Sequence, residues 1–324
     1  MDKNAINNKR NMVMDFTRYN SLENTYRQKA IDSCHTLEIP EWVALEKIHG
    51  SNFSFVCDGA SVLPAKRSGI IPVSESGVYD FYGCSLVVEE YSDKVMELSH
   101  FMGGPIQVFG ELFGNGVQQG INYGEKNFVA FDILLDTGAF IDWPTVKTLC
   151  ALFDIPTAPE VGRGTLSELL SISPEFTSKL CEDAAEGFVI KPLWVDAKMG
   201  NDSRAILKQK SVAFSEKKQS SPKQPHVMSE TIKPIFEDFL AYINDNRLNN
   251  ILSKTSDVIT QKDFGKIMGM LVQDAKDEFV RDEYEINKSD WKEMSKPIMK
   301  EASAVVRKDW LNILDTYSQI FKEN

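Results

Sequence analysis

The sequence predicts an α+β protein: a domain of antiparallel sheets with flanking helices over residues 1–220, a linker at 221–228, and a small all-helical domain over 229–324. Three observations predict this. Short runs rich in Val, Ile and Phe, bounded by turn residues, fill the first two thirds of the chain. A polar stretch with two prolines and no apolar periodicity, SEKKQSSPKQPHVMSE at 215–230, then interrupts it. Beyond that stretch the apolar residues recur at helical spacing, with no alternating strand signal.

In chain order, Val43 to Lys47 and Ser51 to Cys57 read as strands, and Asp58-Gly59 is a hairpin turn signal that implies antiparallel pairing. Ile106 to Phe113, Phe128 to Leu135, Gly187 to Pro192 and Ala205 to Lys208 are further strands. Asp142 and Trp143 before Pro144 open a helix that Val146, Leu149 and Leu152 continue. In the second domain Ile232, Ile235, Phe236, Phe239, Leu240 and Ile243 mark one amphipathic helix. Thr260 with Asp263 forms a capping box for a second, carried on by Ile267, Leu271 and Ala275. A third runs from Pro297 through Val306, Trp310 and Leu314.

Composition narrows the class. The 324 residues are 42% hydrophobic and 26% charged, with 36 basic against 47 acidic residues. A net charge of −11 argues against a protein coated in positive potential and leaves room for a local basic groove. The five cysteines are odd in number and never paired as CxxC, so neither a disulfide framework nor a zinc site is indicated, and a reducing compartment fits. With no apolar run of membrane-span length and a polar start, a cytoplasmic, membrane-free protein is expected.

Several residues carry chemistry. Lys47-Ile48-His49-Gly50 places an amine at a strand end near a glycine, where a bulky group can approach the backbone. Such an amine is a nucleophile once its charged form is disfavoured, although a lone lysine in a turn is usually a surface residue. Phe109-Gly110-Glu111 and Glu186-Gly187 place carboxylates beside glycines, as metal or ribose-hydroxyl ligands require. Alternation puts Lys191 on the face opposite Glu186 unless a bulge or turn intervenes, whereas Lys208 and Lys210 share a face and can grip one phosphate. Between Arg204 and Lys223 six basic residues face one acid, which reads as a phosphate-facing stripe or a solvated linker. Phe131 stacks a base or belongs to the core.

The order of these pieces resembles motifs I, III, IIIa, IV and V of the covalent nucleotidyltransferases: KIHG at 47–50, FGE at 109–111, FD at 131–132, EGFVIK at 186–191 and LKQK at 207–210. Within that superfamily the chain resembles the phage RNA ligase 2 family, through EKIHGSNF, AKRSG, VFGE, EGFVIKP, KQK and FSEKK, and through NRLNN, DFGKIMG and VQD in the helical region. The resemblance runs from about Tyr19 to about Trp310 and leaves the first dozen or so residues unexplained.

The resemblance implies a nucleotidyltransferase domain of the ATP-grasp-like ligase kind, an ATP-dependent RNA ligase, and the use of ATP with Mg2+ or Mn2+. Lys47 matches the lysine that becomes linked to AMP, Glu186 the carboxylate that supports metal, and Glu111 a carboxylate at the ribose and a metal candidate. Phe131 matches the aromatic on adenine, Glu46 the position whose main chain faces the adenine edge, and Lys191, Lys208 and Lys210 the lysines at phosphate. Asn52, Lys66 and Arg67 match substrate-side positions, and Arg247 and Asp274 match positions that engage a nicked duplex. The implied partner is nicked duplex RNA or an RNA/DNA hybrid, met by a monomer, in the host cytoplasm if the chain is phage-encoded. DNA ligases and messenger-RNA capping enzymes share the scaffold, but usually carry Asp where this chain has His49 and follow it with a β-barrel domain. A relative that binds RNA without catalysis would show damaged motifs, and every amine and carboxylate is in place.

Overall fold

The computed structural model describes residues 14–74, 77–79, 81–215, 229, 231–255, 258–282 and 284–319. The chain divides into two compact units, Met1–Gln209 and Lys210–Asn324. The linker expected at 221–228 lies outside the described residues.

Unit 1 opens with β1 (Glu23–Asn24), α1 (Gln28–His35), β2 (Trp42–Glu46), β3 (Ser51–Cys57), β4 (Val62–Lys66) and β5 (Gly69–Ile70). It continues through α2 (Ser85–Met102), β6 (Ile106–Phe113), β7 (Asn127–Leu135), α3 (Trp143–Leu152), β8 (Glu160–Gly164), α4 (Leu166–Leu170), β9 (Gly187–Pro192) and β10 (Leu207–Lys210), whose last residue opens unit 2. These strands form two five-stranded sheets, in the orders β1-β10-β9-β2-β8 and β5-β4-β3-β6-β7. The described pairings are antiparallel except β1 with β10. The Asp58-Gly59 turn joins β3 to β4, with the Asp58 carboxylate accepting from the Ala60 and Ser61 amides. Asp142 caps α3 by accepting from the Thr145 amide at 3.0 Å, with Pro144 in the first turn.

Alternation sorts the side chains. Trp42, Ala44, Phe188, Ile190 and Leu207 form an apolar layer on one face of the first sheet with Leu166 and Leu169 of α4. Tyr19, Phe109, Leu134 and Ile206 form a second layer, against which Phe131 and Val189 pack, so this layer joins the inner faces of the two sheets. The strand expected at Ala205–Lys208 begins two residues later, because the Ala205 and Ile206 amides are spent on the Ala197 and Arg204 carbonyls in a tight loop. In β7 the register shifts: Phe109 faces Asp132 and Gly110 faces Ala130, leaving Phe131 as the extra residue of a bulge.

Unit 2 is helical among its described residues beyond the end of β10: α5 (Lys233–Leu240), α6 (Asp245–Leu252), α7 (Phe264–Arg281), α8 (Lys288–Lys308) and α9 (Trp310–Gln319), with short 3-10 turns at Val212–Phe214 and Gln261–Asp263. The Thr260/Asp263 capping box is formed. The third helix expected from Pro297 is two helices. The first starts at Lys288, where Asn287 caps it, and tolerates Pro297 inside at the loss of one main-chain hydrogen bond. Among the described residues no helix is long and apolar enough to cross a membrane.

Candidate active site

Lys47 follows β2 and prolongs its ladder, its amide donating to the Gly187 carbonyl at 2.9 Å. Alternation from Val43 and Leu45 gives Lys47 to the inner face of its sheet. Its Nζ lies 2.9 Å from Glu186 Oε1, and His49 Nδ1 lies 3.2 Å from the other oxygen of the same buried carboxylate. Gly187 takes φ +140°, a backbone conformation that suits glycine, and this break in the strand swings Glu186 onto Lys47 despite its separation from Lys191. Gly50 is required for closeness: a β-carbon there would sit 2.2 Å from the Leu112 carbonyl oxygen and 2.9 Å from Glu111 Cγ. The group that approaches this glycine is therefore the protein's own β6.

The second sheet carries the residues expected on the substrate side. Asn52 on β3 stands directly opposite Glu111 on β6. Arg67, just beyond β4, feels the Glu111 charge, and burial and Arg18 lower its pKa against that attraction. Lys66 faces Phe53 in register and lies 5.9 Å from the Phe81 ring, on the face away from Asn52 and Glu111. The Lys66-Arg67 pair is thus split between two faces of the sheet.

Beneath Phe131 sits a buried polar network. Lys191 Nζ donates to Asp132 Oδ1 and to the Phe131 carbonyl, both at 2.6 Å. Asp132 Oδ2 accepts from the Tyr19 hydroxyl at 2.5 Å and from Arg204 Nη1 at 3.0 Å, and Arg204 Nε reaches Asp196 at 2.6 Å. Burial alone would raise the Asp132 carboxyl, but Arg204 and Lys191 override it and hold its pKa down to about 2. Arg204 is buried in this network, so it does not belong to a phosphate-facing stripe or to a solvated linker. Of the other basic residues in that segment, Lys217, Lys218 and Lys223 lie outside the described residues. Lys191 is likewise engaged by protein groups and anchors the bulge that carries half-buried Phe131.

Lys208 and Lys210 follow Ile206 on β10 at two-residue steps, which gives them to the inner face with Lys47 and Lys191. Glu46 is turned the other way: its buried carboxylate accepts from the Ser178 hydroxyl at 2.5 Å and the Lys179 amide at 2.8 Å, stapling the segment that leads to Glu186. In unit 2 the Arg247 guanidinium is 1% exposed and lies 2.6 Å from Asp274, tying α6 to α7. This pair presents Asp274, not Arg247, to the surface.

Sequence reasoning missed the loop between β6 and β7. The His49 amide donates to the Tyr123 hydroxyl at 3.1 Å, and His49 Nε2 lies 2.9 Å from the Gln119 carbonyl oxygen. The Asn122 amide donates to Asp183 Oδ2 at 2.6 Å, and Tyr123 packs on Phe113. Burial pushes the Tyr123 phenol above its usual pKa, so it meets His49 as a neutral hydroxyl. Four positive-φ glycines in this loop, at 114, 116, 120 and 124, were the readable signal.

Among the described residues no three His, Cys, Asp or Glu side chains gather as a metal cage. Glu186 and Glu111 are of the donor type a hydrated, magnesium-type ion takes, one or two carboxylates with water and substrate phosphates completing the shell; in this structure the Glu186 oxygens face Lys47 and His49.

A strand-end lysine on a carboxylate, further inner-face lysines and an aromatic bulge are groups suited to the transfer of a nucleotidyl group. Residues 40–210 match the family model described as RNA ligase, and residues 226–309 the model described as T4 RNA ligase 2 C-terminal. The chain belongs to the RNA ligase family, in its RNA ligase 2 branch. It is 30% identical over 110 residues to RNA-editing ligase 2, mitochondrial, of Trypanosoma brucei brucei, a match covering 31% of this chain and 25% of that protein. RNA-editing ligase 1, mitochondrial, of the same organism is 32% identical over 114 residues, covering 31% and 23%. The matched stretch thus spans about a quarter of these relatives. Among solved structures, Naegleria gruberi RNA ligase with PPi gives a TM-score of 0.48 at 16% identity, covering 61% of this chain and 57% of that one.

Proposed function

We propose that this protein is an ATP-dependent RNA ligase that seals 3′-hydroxyl/5′-phosphate nicks in duplex RNA. The observation that carries the reading is the Lys47–Glu186–His49 arrangement at the end of β2, within the segment matched to the RNA ligase family.

Three steps balance. The Lys47 amine attacks the α-phosphorus of ATP, forming a P–N bond as pyrophosphate leaves and the amine proton passes to water; Glu186, 2.9 Å from the amine, orients it for attack. An oxygen of the 5′-phosphate then attacks that phosphorus and breaks the P–N bond, returning the amine to Lys47. The 3′-hydroxyl finally attacks the 5′-phosphorus, loses its proton, and AMP leaves. Lys208 and Lys210 offset the charge that shifts among phosphate oxygens, Phe131 stacks on adenine, and Asn52 and Arg67 meet the RNA ends. A divalent ion held by Glu186 and Glu111 with substrate oxygens would supply Lewis-acid polarisation of phosphate. An A-form duplex exposes 2′-hydroxyls across a wide minor groove, which gives a clamp at the nick the means to tell RNA from DNA.

The test is labelling with radioactive ATP and metal, resolved by denaturing electrophoresis, followed by sealing of a nicked RNA duplex, a nicked DNA duplex and single-stranded RNA at fixed salt. Lys47→Ala is expected to abolish labelling. Normal labelling of that variant would remove Lys47 as the nucleophile, and equal sealing of the DNA nick would point to a DNA ligase.

A further inference from the structure

The acidic charge of this chain is not evenly spread. Unit 1 holds 18 basic and 28 acidic residues, whereas unit 2 holds 18 and 19, so almost the whole negative balance belongs to unit 1. Within unit 2, α8 concentrates basic residues on one side. Lys288, Lys292, Lys296 and Lys300 recur every fourth residue, and Arg307 follows; all five are exposed. At about 100° per residue, Lys292, Lys296, Lys300 and Arg307 fall within an arc of about 80°. Lys288 extends that arc at one edge. The buried residues Met294, Ile298 and Ala302 lie on the other side of the helix, and Val306, buried at its far end, shares the azimuth of Lys288. Glu293, the acid bordering the arc, accepts from the Ser229 amide at 2.6 Å. Among the described residues none of the five cations is in an ion pair.

Like charges four apart oppose helix formation, so this spacing works against the helix that carries it. A polyanion laid along the helix reverses the sign of that effect. From Lys288 to Lys300 the cations advance in steps of about 6 Å, and Arg307 follows about 10 Å further on, about 28 Å from Lys288. The occupant of this stripe is a phosphate backbone rather than bases. No aromatic side chain shares the arc: Trp291 turns to the core side and carries the Lys276 ammonium 4.1 Å from its ring. Single-strand binding sites interleave aromatic platforms with their cations, and this surface has cations alone.

We infer that the exposed face of α8 is a phosphate track for duplex RNA, engaging one strand by point charges without reading sequence. The inference rests on the function proposed above and adds the surface through which unit 2 meets its partner.

The experiment uses the full chain carrying Lys292→Ala, Lys296→Ala and Lys300→Ala together, all exposed positions, with its helical content checked by circular dichroism. Binding to a nicked RNA duplex is titrated from 50 to 200 mM salt. Loss of three phosphate contacts is expected to reduce the slope of log K against log salt by about 2–3 and to weaken binding at least about tenfold at low salt. A variant that keeps the duplex affinity and slope of the unmodified chain overturns the inference. So does a variant that keeps RNA binding but loses binding to vesicles of phosphatidylserine and phosphatidylcholine, which would make α8 a lipid-facing helix. AMP labelling of the unmodified chain reads the proposed chemistry separately, so its failure would be told apart from failure of the track.

Discussion

Replacing Asp132 with Asn tests whether the buried network is a working part of the fold. In the native chain this one carboxylate faces Lys191 at 2.6 Å and Arg204 at 3.0 Å, with side-chain exposures of 1% for Asp132 and 6% for each cation. Arg204 retains Asp196 in the variant, whereas Lys191 is left with the Phe131 carbonyl and the Trp143 ring 4.7 Å away. Removing one partner of a buried ion pair costs about 3–5 kcal/mol. At a urea slope near 3 kcal/mol per molar, that lowers the unfolding midpoint by roughly 1–2 M. Trp143 fluorescence reports the transition from beside the network. The pH dependence supplies a second arm. The Asp132 pKa is depressed to about 2 in the fold, against about 3.9 in an unfolded chain. The unfolded state therefore binds the extra proton, and the carboxylate contributes about 2–3 kcal/mol above pH ~4 that is lost as the pH falls towards 2. The Asn variant lacks that component. An Asp132→Asn protein within about 1 kcal/mol of the native one at pH 7, or with the same acid limb, would refute the reasoning.

Glu186→Ala, Lys208→Ala and Lys210→Ala are each expected to slow AMP transfer by roughly two orders of magnitude, about 3 kcal/mol for one preorganised contact; near-native labelling in all three would break the site assignment. Tyr123→Phe removes the hydroxyl that accepts from the His49 amide and is expected to cost about 1–3 kcal/mol, read as slower labelling at saturating ATP with the ATP dependence little changed. A fall in thermal stability alone would reduce Tyr123 to packing. A chain ending near residue 225 is expected to label itself with AMP and seal nicks poorly, and a folded truncation that does not react with ATP would contradict that division of labour.

Strands were legible as short runs rich in β-branched and aromatic residues, buried almost throughout: Ile106–Phe113 and Gly187–Pro192 appear with the expected ends. The helix Ser85–Met102 and the short helix Asp245–Leu252 were not read from the pattern. The polar face of each breaks its apolar run into short pieces, and burial against the rest of its unit decides them. In the site, Lys47 and Glu186 were readable as residue types beside glycines, but their meeting depends on the backbone at Gly187, which no local pattern displays. Arg204 shows the converse. Its charge suggested solvent or phosphate, and only the fold reveals that Asp132, 72 positions earlier, neutralises it in the interior.

The bulge in β7 makes the number of residues, and not only their identity, part of what the gene must preserve. Ahead of Phe131 the strand is in one phase with β6, and after it in the other. A chain lacking Phe131 alone would bring those phases together into an unbroken ladder. It would form that sheet at least as readily, while losing the aromatic ring and the carbonyl that Lys191 grips. Selection for a regular strand and selection for the proposed nucleotide site pull in opposite directions at this single position, so a one-residue deletion here should yield a protein that folds and does not label itself with AMP.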